Sequence, residues 1–370
     1  MIGSIFVFLL VLSVLVLVHE LGHFLVARKA GIWVEEFGFG IPPRIFGKKI
    51  GETIYSINLL PFGGFVKLYG ESGGKTLKLP KKAFINKSKK VRFVIIIAGV
   101  VMNFILGILA FATVYSISGI PQESQNVKVI DIVAGSPAHE AGILTGDIVR
   151  SVEGEKVSSV EQFITIVEKN KGKRILLNVD RVVAEKVGTN DIYITPRVEH
   201  SENEGPLGVV ITSVEIYFPP IWQRPFIGIY YGFGEAIFWG KTVVDGLAKT
   251  FVMLFRGQVP RDLAGPVGIF AITSHAASVG TLALINFVGI LSVNLAILNI
   301  LPFPALDGGR LAFLFLEKAI GRKVLPRIEA AVHTVGMIIL LSLLLAITAQ
   351  DIQRLIANGG INGFIDSILK

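Results

Sequence analysis

His19-Glu20-Leu21-Gly22-His23 places two imidazoles four positions apart, with a carboxylate directly after the first. On a helix this spacing stacks both rings on one face, so two ring nitrogens can converge on one cation while Glu20 stands beside the remaining coordination position. The matching chemistry is metal-assisted hydrolysis, with the carboxylate as base toward water. On a soluble surface helix two such histidines can be harmless. Here they fall inside the apolar run 2–27, where a carboxylate costs on the order of 3 kcal/mol and needs a cavity or a partner. A divalent cation is the most economical partner. His19 follows Ile2 by seventeen residues, roughly 26 Å of helix at about 1.5 Å per residue, which sets the site toward the inner leaflet.

The chain has no cysteine, so disulfides and thiolate sites are excluded and a metal must be held by nitrogen and oxygen. Two histidines leave a tetrahedral catalytic site one protein ligand short, the fourth place being water. Asp307 is the candidate, in Asn299-Ile300-Leu301-Pro302-Phe303-Pro304-Ala305-Leu306-Asp307-Gly308-Gly309-Arg310. The prolines end a helix there, and the glycine pair is expected to let the backbone turn back tightly. The competing reading of Asp307 is an N-cap for the helix that follows.

The elements that must position these groups are those of a membrane protein. Charged residues make up only 17% of 370, against about a quarter in soluble domains. Residues 1–27, 91–117, 281–301 (continuing to 310 through the Asp307 motif) and 331–349 read as transmembrane helices. The net charge of +8 suggests nucleic acid only if it is not explained by membrane sidedness, and sidedness explains it. The loop 28–90, taken to Arg92, carries fourteen Lys and Arg against Glu35, Glu36, Glu52 and Glu71, which marks it cytoplasmic. Residues 118 to about 225 are then exported, and the basic loop with Arg310, Lys318, Arg322, Lys323 and Arg327 returns to the cytoplasm. The run 226–256 carries Lys241, Asp245 and Lys249 at i, i+4 spacing, one polar stripe on a helix, and is read as interfacial. Parity agrees, because a full crossing there would separate Asp307 from His19 and His23. A cleavable signal peptide is the weaker reading of the first span, which has no basic n-region and no small-x-small site after it.

The H-E-x-x-H in the first span and the N-x-x-P-x-P-x-L-D-G stretch after the third resemble the site-2 protease family of intramembrane zinc metalloproteases, bacterial RseP-like members included. The resemblance extends to Glu36-Phe37-Gly38-Phe39-Gly40, Leu60-Pro61-Phe62-Gly63-Gly64-Phe65-Val66-Lys67-Leu68 and Gly265-Pro266-Val267-Gly268-Ile269. It implies one Zn2+ per chain, and substrate contacts from Asn299 and Asn294, which otherwise read as interhelical hydrogen-bonding residues. Residues 52–69 read as two strands around a Pro/Gly turn, a membrane-associated β-hairpin. An edge carrying Gly63, Gly64, Phe65 and Val66 could pair with an unwound substrate, or the segment could simply cap the site; the resemblance favours the edge.

Within 121–215, Gly135-Ser136-Pro137-Ala138-His139-Glu140-Ala141-Gly142 and the residues after it resemble a bacterial PDZ domain, small, α/β and mostly β. A single such domain departs from the tandem pair of RseP. Gly205-Pro206-Leu207-Gly208 resembles the loop that receives a peptide's C-terminal carboxylate; a steric filter against bulky ectodomains is the alternative. His139, His200, His275 and His333 lack ligand spacing and read as structural. The tail 351–370 reads as a short amphipathic exported segment. The fold expected is therefore a polytopic α-helical membrane protein with four spans. The implied activity is zinc-dependent cleavage, by Glu20-activated water, of single-span membrane proteins such as anti-sigma factors or remnant signal peptides, in the bacterial inner membrane and without nucleic acid. The rival is a catalytically idle PDZ scaffold with a structural metal.

Overall fold

Among the described residues, four helices are long and apolar enough to cross a membrane, and they coincide with the four expected runs. In this computed structural model the described residues are 2–71, 77–183, 186–199, 204–257, 264–322, 324–360 and 363–365. In chain order the elements are α1 (Ile2–Lys29), β1 (Val34–Ile50), β2 (Thr53–Leu68), α2 (Lys89–Ser118), β3 (Ile120–Ile132), α3 (Pro137–Glu140), β4 (Ile148–Val152), β5 (Glu155–Lys156), α4 (Val160–Lys169), β6 (Ile175–Val183), β7 (Lys186–Ile194), β8 (Val209–Tyr217), α5 (Arg224–Phe255), α6 (Pro266–Val279), α7 (Thr281–Ile300), α8 (Asp307–Ile320) and α9 (Pro326–Ala357). They form two units, residues 1–117 with 220–370, and residues 118–219.

In the first unit α1, α2, α7 and α9 are the candidate spans. Local chemistry sets their ends. Pro302 follows the Leu301 cap of α7, Gly321 ends α8 in the left-handed region at φ +78°, and Pro326 opens α9 at a position where its missing N–H costs nothing. Phe24, Ala27, Ile32, Val34, Leu68, Phe84, Ile95, Ile96 and Leu311 form one buried cluster. That cluster fixes α1, α2, the β1–β2 sheet and α8 around the residues of interest.

The β1–β2 sheet differs from the expected hairpin. The stretches around 54–57 and 64–67 do not face each other, because residues 36–39 of β1 lie between them. Glu36 stands opposite both Lys67 and Ile54, and Phe39 opposite both Gly64 and Ile57. The outer half of β1, from Arg44 to Ile50, pairs antiparallel with Asn58 to Thr53. Two long bent strands therefore give a sheet four segments wide. The segment at Gly64–Leu68 is one edge, having only one paired side among the described residues. Periodicity marked both stretches as extended, but it carries no information on which segment inserts between them.

α5 packs along α2 from its start. A β-carbon on Gly232 would stand 2.6 Å from Ala112 N and 2.7 Å from Ile108 O, and Tyr115 donates its hydroxyl to Glu235 at 2.8 Å. Trp239 Nε1 donates to the other oxygen of the same carboxylate at 3.0 Å. α6 meets α1 through Phe8 and Phe270, and Gly268 N–H donates to Asp351 of α9 at 2.9 Å. Of the tail 351–370, α9 takes the residues up to Ala357, and Phe364 and Ile365 are buried with Ala271.

The second unit is a sheet in the order β7-β6-β4-β3-β8, with β5 paired to β4, so that β8 is an edge strand. Its core is built from Val127, Val129, Val149, Val152, Phe163, Leu177, Val179 and Leu207 among others. Ser136 and Ser159 cap α3 and α4 by accepting from His139 N and Gln162 N. Arg181 grips the buried Asp147 with both Nε and Nη2, at 2.8 and 2.7 Å.

Candidate metal centre

α1 carries His19 and His23 one turn apart, and both rings face α2 and the start of α8. Their Nε2 atoms are 3.2 Å from each other, and 3.0 Å (His19) and 3.1 Å (His23) from Oδ2 of Asp307. Ligand atoms held about 2.0–2.1 Å from a tetrahedral ion stand about 3.3 Å apart, so the triangle has the size a zinc ion requires. His23 Nδ1 lies 2.8 Å from the carbonyl of Ile95, an acceptor, so Nδ1 carries a proton and Nε2 is the ring atom turned toward Asp307.

The rings have room because α2 presents a glycine. A β-carbon on Gly99 would stand 2.5 Å from His23 Nε2 and 2.7 Å from His19 Nε2. Gly22, inside the motif, is pressed onto the Ala98 backbone of α2, where a β-carbon would come 2.7 Å from the carbonyl carbon. The two glycines thus allow the α1–α2 contact that places the rings. Asn103, one turn beyond Gly99 and fully buried, reaches His19 Nδ1 at 3.4 Å, and Asn299 of α7 reaches the same atom at 3.5 Å.

Asp307 is the first residue of α8, and the N-cap position is Leu306, with no side-chain cap. The carboxylate is directed at the two imidazoles instead. The glycine pair behind it acts by close approach rather than by a left-handed turn. A β-carbon on Gly308 would strike the terminal carbonyls of α7, and one on Gly309 would stand 2.5 Å from Phe303 O. The left-handed residue is Ala305, at φ +81°.

Glu20, His23 and Asp307 line one cavity of about 600 Å³. Phe65 and Val66 of β2 form part of its wall, and Gly64 packs against Leu17 and Glu20. Arg310, paired with Glu71, and Arg92, paired with Glu317 at 2.8 Å, give the same cavity a charged end. Of the residues singled out in the sequence, His19, Glu20, His23, Asp307, Asn299, Gly64, Phe65 and Val66 are brought together. Gly63, at φ +82°, adjoins this stretch with Ile41 as its neighbour. Asn294 is not brought to the rings. It lies five residues before Asn299, about 140° around the helix, and makes no side-chain hydrogen bond among the described residues. His333, read as structural, lines the cavity. Gly99 and Asn103 escaped the sequence reading. Their signal was a glycine and an amide one turn apart in an otherwise apolar span.

The model of peptidase family M50 matches residues 7–343. This chain belongs to that family. Family M50 relatives match it along nearly their whole length. A Clostridium perfringens protein named provisionally as a zinc metalloprotease is 35% identical over 93% of this chain and 97% of its own. The regulator of sigma-W protease RasP of Bacillus subtilis is 30% identical over 96% and 99%, and the zinc metalloprotease RasP of Oceanobacillus iheyensis 29% over 94% and 98%. As an M50 peptidase of the site-2 protease type, the chain is a multi-pass membrane metalloendopeptidase with zinc as its cofactor.

Proposed function

We propose that this M50 peptidase hydrolyses peptide bonds within the membrane-spanning segments of single-span proteins or remnant signal peptides. His19, His23 and Asp307 hold the zinc and Glu20 acts as the general base. The observation that carries this reading is the triangle of Nε2, Nε2 and Oδ2 atoms within 3.2 Å of one another, with Glu20 in the same cavity. Bound zinc supplies Lewis acidity and a water of lowered pKa. Glu20 takes the proton of the attacking water and delivers it to the departing amine. The Gly64–Leu68 edge beside Glu20 receives the unwound substrate as an added strand, since a helical segment has every backbone group already paired. Asn299 holds the substrate backbone near the reacting carbonyl. Because the site is built on the last turns of α1, it lies near the cytoplasmic face, with residues 118–219 and the C-terminus outside the cell and the chain in the bacterial cytoplasmic membrane.

Residues 118–219 are proposed to be a PDZ domain. Among the described residues β8 is paired on one side only, and its other side, next to the Gly205–Gly208 turn, would take an exported peptide end. α5 and α6 begin at the end of the bundle remote from Asp307, near Ser116 and near Phe8 and Asp351. This supports a path with no net crossing between α2 and α7, although the contacts of Gly232 with Ala112 and Ile108 and of Gly240 with Val293 and Ile297 run the first half of α5 alongside those spans, in contrast to the flat interfacial helix expected.

The deciding experiment is Glu20→Gln in the purified chain. The protease keeps its zinc and loses cleavage of a single-span anti-sigma factor. A scaffold with a structural metal would show neither cleavage before the change nor any difference after it. Three protein ligands, rather than the four of a closed structural site, favour the protease.

A further inference from the structure

The turn that delivers Asp307 is held from α9. Residues Phe303-Pro304-Ala305-Leu306 are closed by the Leu306 N–H donating to Phe303 O at 3.2 Å, with Pro304 second and Ala305 third at φ +81°. This is the pattern of a type II turn, whose third position ordinarily takes glycine. An L-residue is strained in that conformation, so its surroundings must impose it. Two contacts from α9 do so. The Ala305 N–H donates to Nδ1 of His333 at 2.9 Å. Three residues on, Gly336 is pressed against Pro304, where a β-carbon would strike the proline Cβ and stand 2.8 Å from its carbonyl carbon and oxygen. Residues three apart share a helix face, so His333 and Gly336 grip the two central residues of one turn. The His333 ring is also set against Phe313 of α8, with centroids 5.8 Å apart. Because Nδ1 accepts, the ring's proton is on Nε2, which is buried without a hydrogen-bond partner among the described residues, in a ring lining the Glu20–Asp307 cavity.

We propose that His333 is a positioning residue for the metal ligand Asp307. Acting through the Ala305 amide, it fixes the turn two residues ahead of the carboxylate, and Gly336 sets how closely α9 approaches. α9 has little else to hold it near the site, since its apolar stretch is almost wholly unburied within the unit. The inference rests on the proposed reading of Asp307 as a zinc ligand. It assigns α9 a role in how well that ligand is held.

The test is metal affinity in the detergent-solubilised full chain, by chelator competition for Zn2+ and by the visible absorption of the Co2+-loaded protein. Outer-shell partners of metal ligands typically contribute about 10–100-fold in affinity. His333→Leu is expected to weaken binding by about that factor and to alter the cobalt bands. His333→Asn, whose Oδ1 can accept in place of Nδ1, should stay within about threefold. Gly336→Ala should behave like His333→Leu. Unchanged affinity and bands in both His333→Leu and Gly336→Ala overturn the inference. So does an equal loss in His333→Asn and His333→Leu, because the acceptor would then not be what matters. Asp307→Asn is measured in parallel. If it retains full affinity, the ligand reading itself has failed; if it loses the metal while His333→Leu does not, only the role of His333 has.

Discussion

Asn103 of α2 lies with its amide nitrogen 3.4 Å from Nδ1 of His19 on α1, and its carbonyl oxygen is buried with no hydrogen-bond partner among the described residues. The two ends of an amide are nearly isosteric. Turning this one over brings Oδ1 onto the Nδ1–H of His19, satisfies the orphaned oxygen and leaves the Nε2 lone pair for the metal. This is the same service that the Ile95 carbonyl performs for His23. Both histidines are then fixed in one tautomer by α2.

Asn103→Leu keeps the branched shape and removes the acceptor. Zinc affinity is expected to fall by about 10–100-fold and activity with it, while excess zinc restores much of the cleavage. Chelator competition checks the first outcome, and a zinc titration of the activity checks the second.

Gly99→Ala tests the space rather than the hydrogen bond. Its β-carbon would enter the region of both Nε2 atoms at 2.5 and 2.7 Å, contacts that real side chains do not tolerate. The purified variant is expected to retain its helical circular dichroism, carry substoichiometric zinc and cleave at a small fraction of the usual rate. Full zinc occupancy would mean that α1 and α2 can separate at little cost.

What the sequence made legible follows from periodicity and cost. The spans were readable because about twenty apolar residues have few other uses. His19, Glu20 and His23 were readable because polar groups at helical spacing in hydrocarbon demand a partner. Asp307 was reachable by parity and depth. Gly99 and Asn103 were not, because a glycine and an asparagine in a span also serve ordinary helix packing, and only the facing rings distinguish the two uses. The two stretches within 52–69 do not pair with each other as expected, because strand order depends on which segment returns between two others, and side-chain alternation does not encode that.

The buried pair of Arg92 and Glu317 ties the start of α2 to α8, with side chains 7% and 4% exposed and 2.8 Å between Nη1 and Oε2. Lys89 Nζ adds a bond to the Glu317 carbonyl at 2.9 Å. Arg92→Met leaves a buried carboxylate without its cation, which typically costs about 3–5 kcal/mol. Its thermal unfolding midpoint in detergent should fall by several degrees. The double variant Arg92→Met, Glu317→Leu removes both charges and should recover most of that loss. If the double variant is as unstable as the single one, packing rather than an orphaned charge is responsible.

The proposed orientation predicts which faces can be labelled from outside the cell. The 28–92 loop carries ten more basic than acidic residues, and basic loops of this length stay on the cytoplasmic side. If α1, α2 and α7 each cross once and α5–α6 make no net crossing, Lys48 and Lys318 lie inside and Lys156 outside; all three are exposed. The chain has no cysteine, so single-cysteine variants at these positions carry no background. A membrane-impermeant maleimide applied to intact cells should modify Lys156→Cys and spare the other two, which react once the membrane is opened. Labelling of Lys318→Cys but not Lys48→Cys from outside would put α8 on the opposite face from the end of α1. Asp307 and His23 could then not share an ion in the membrane, and the proposed site would fall with the orientation.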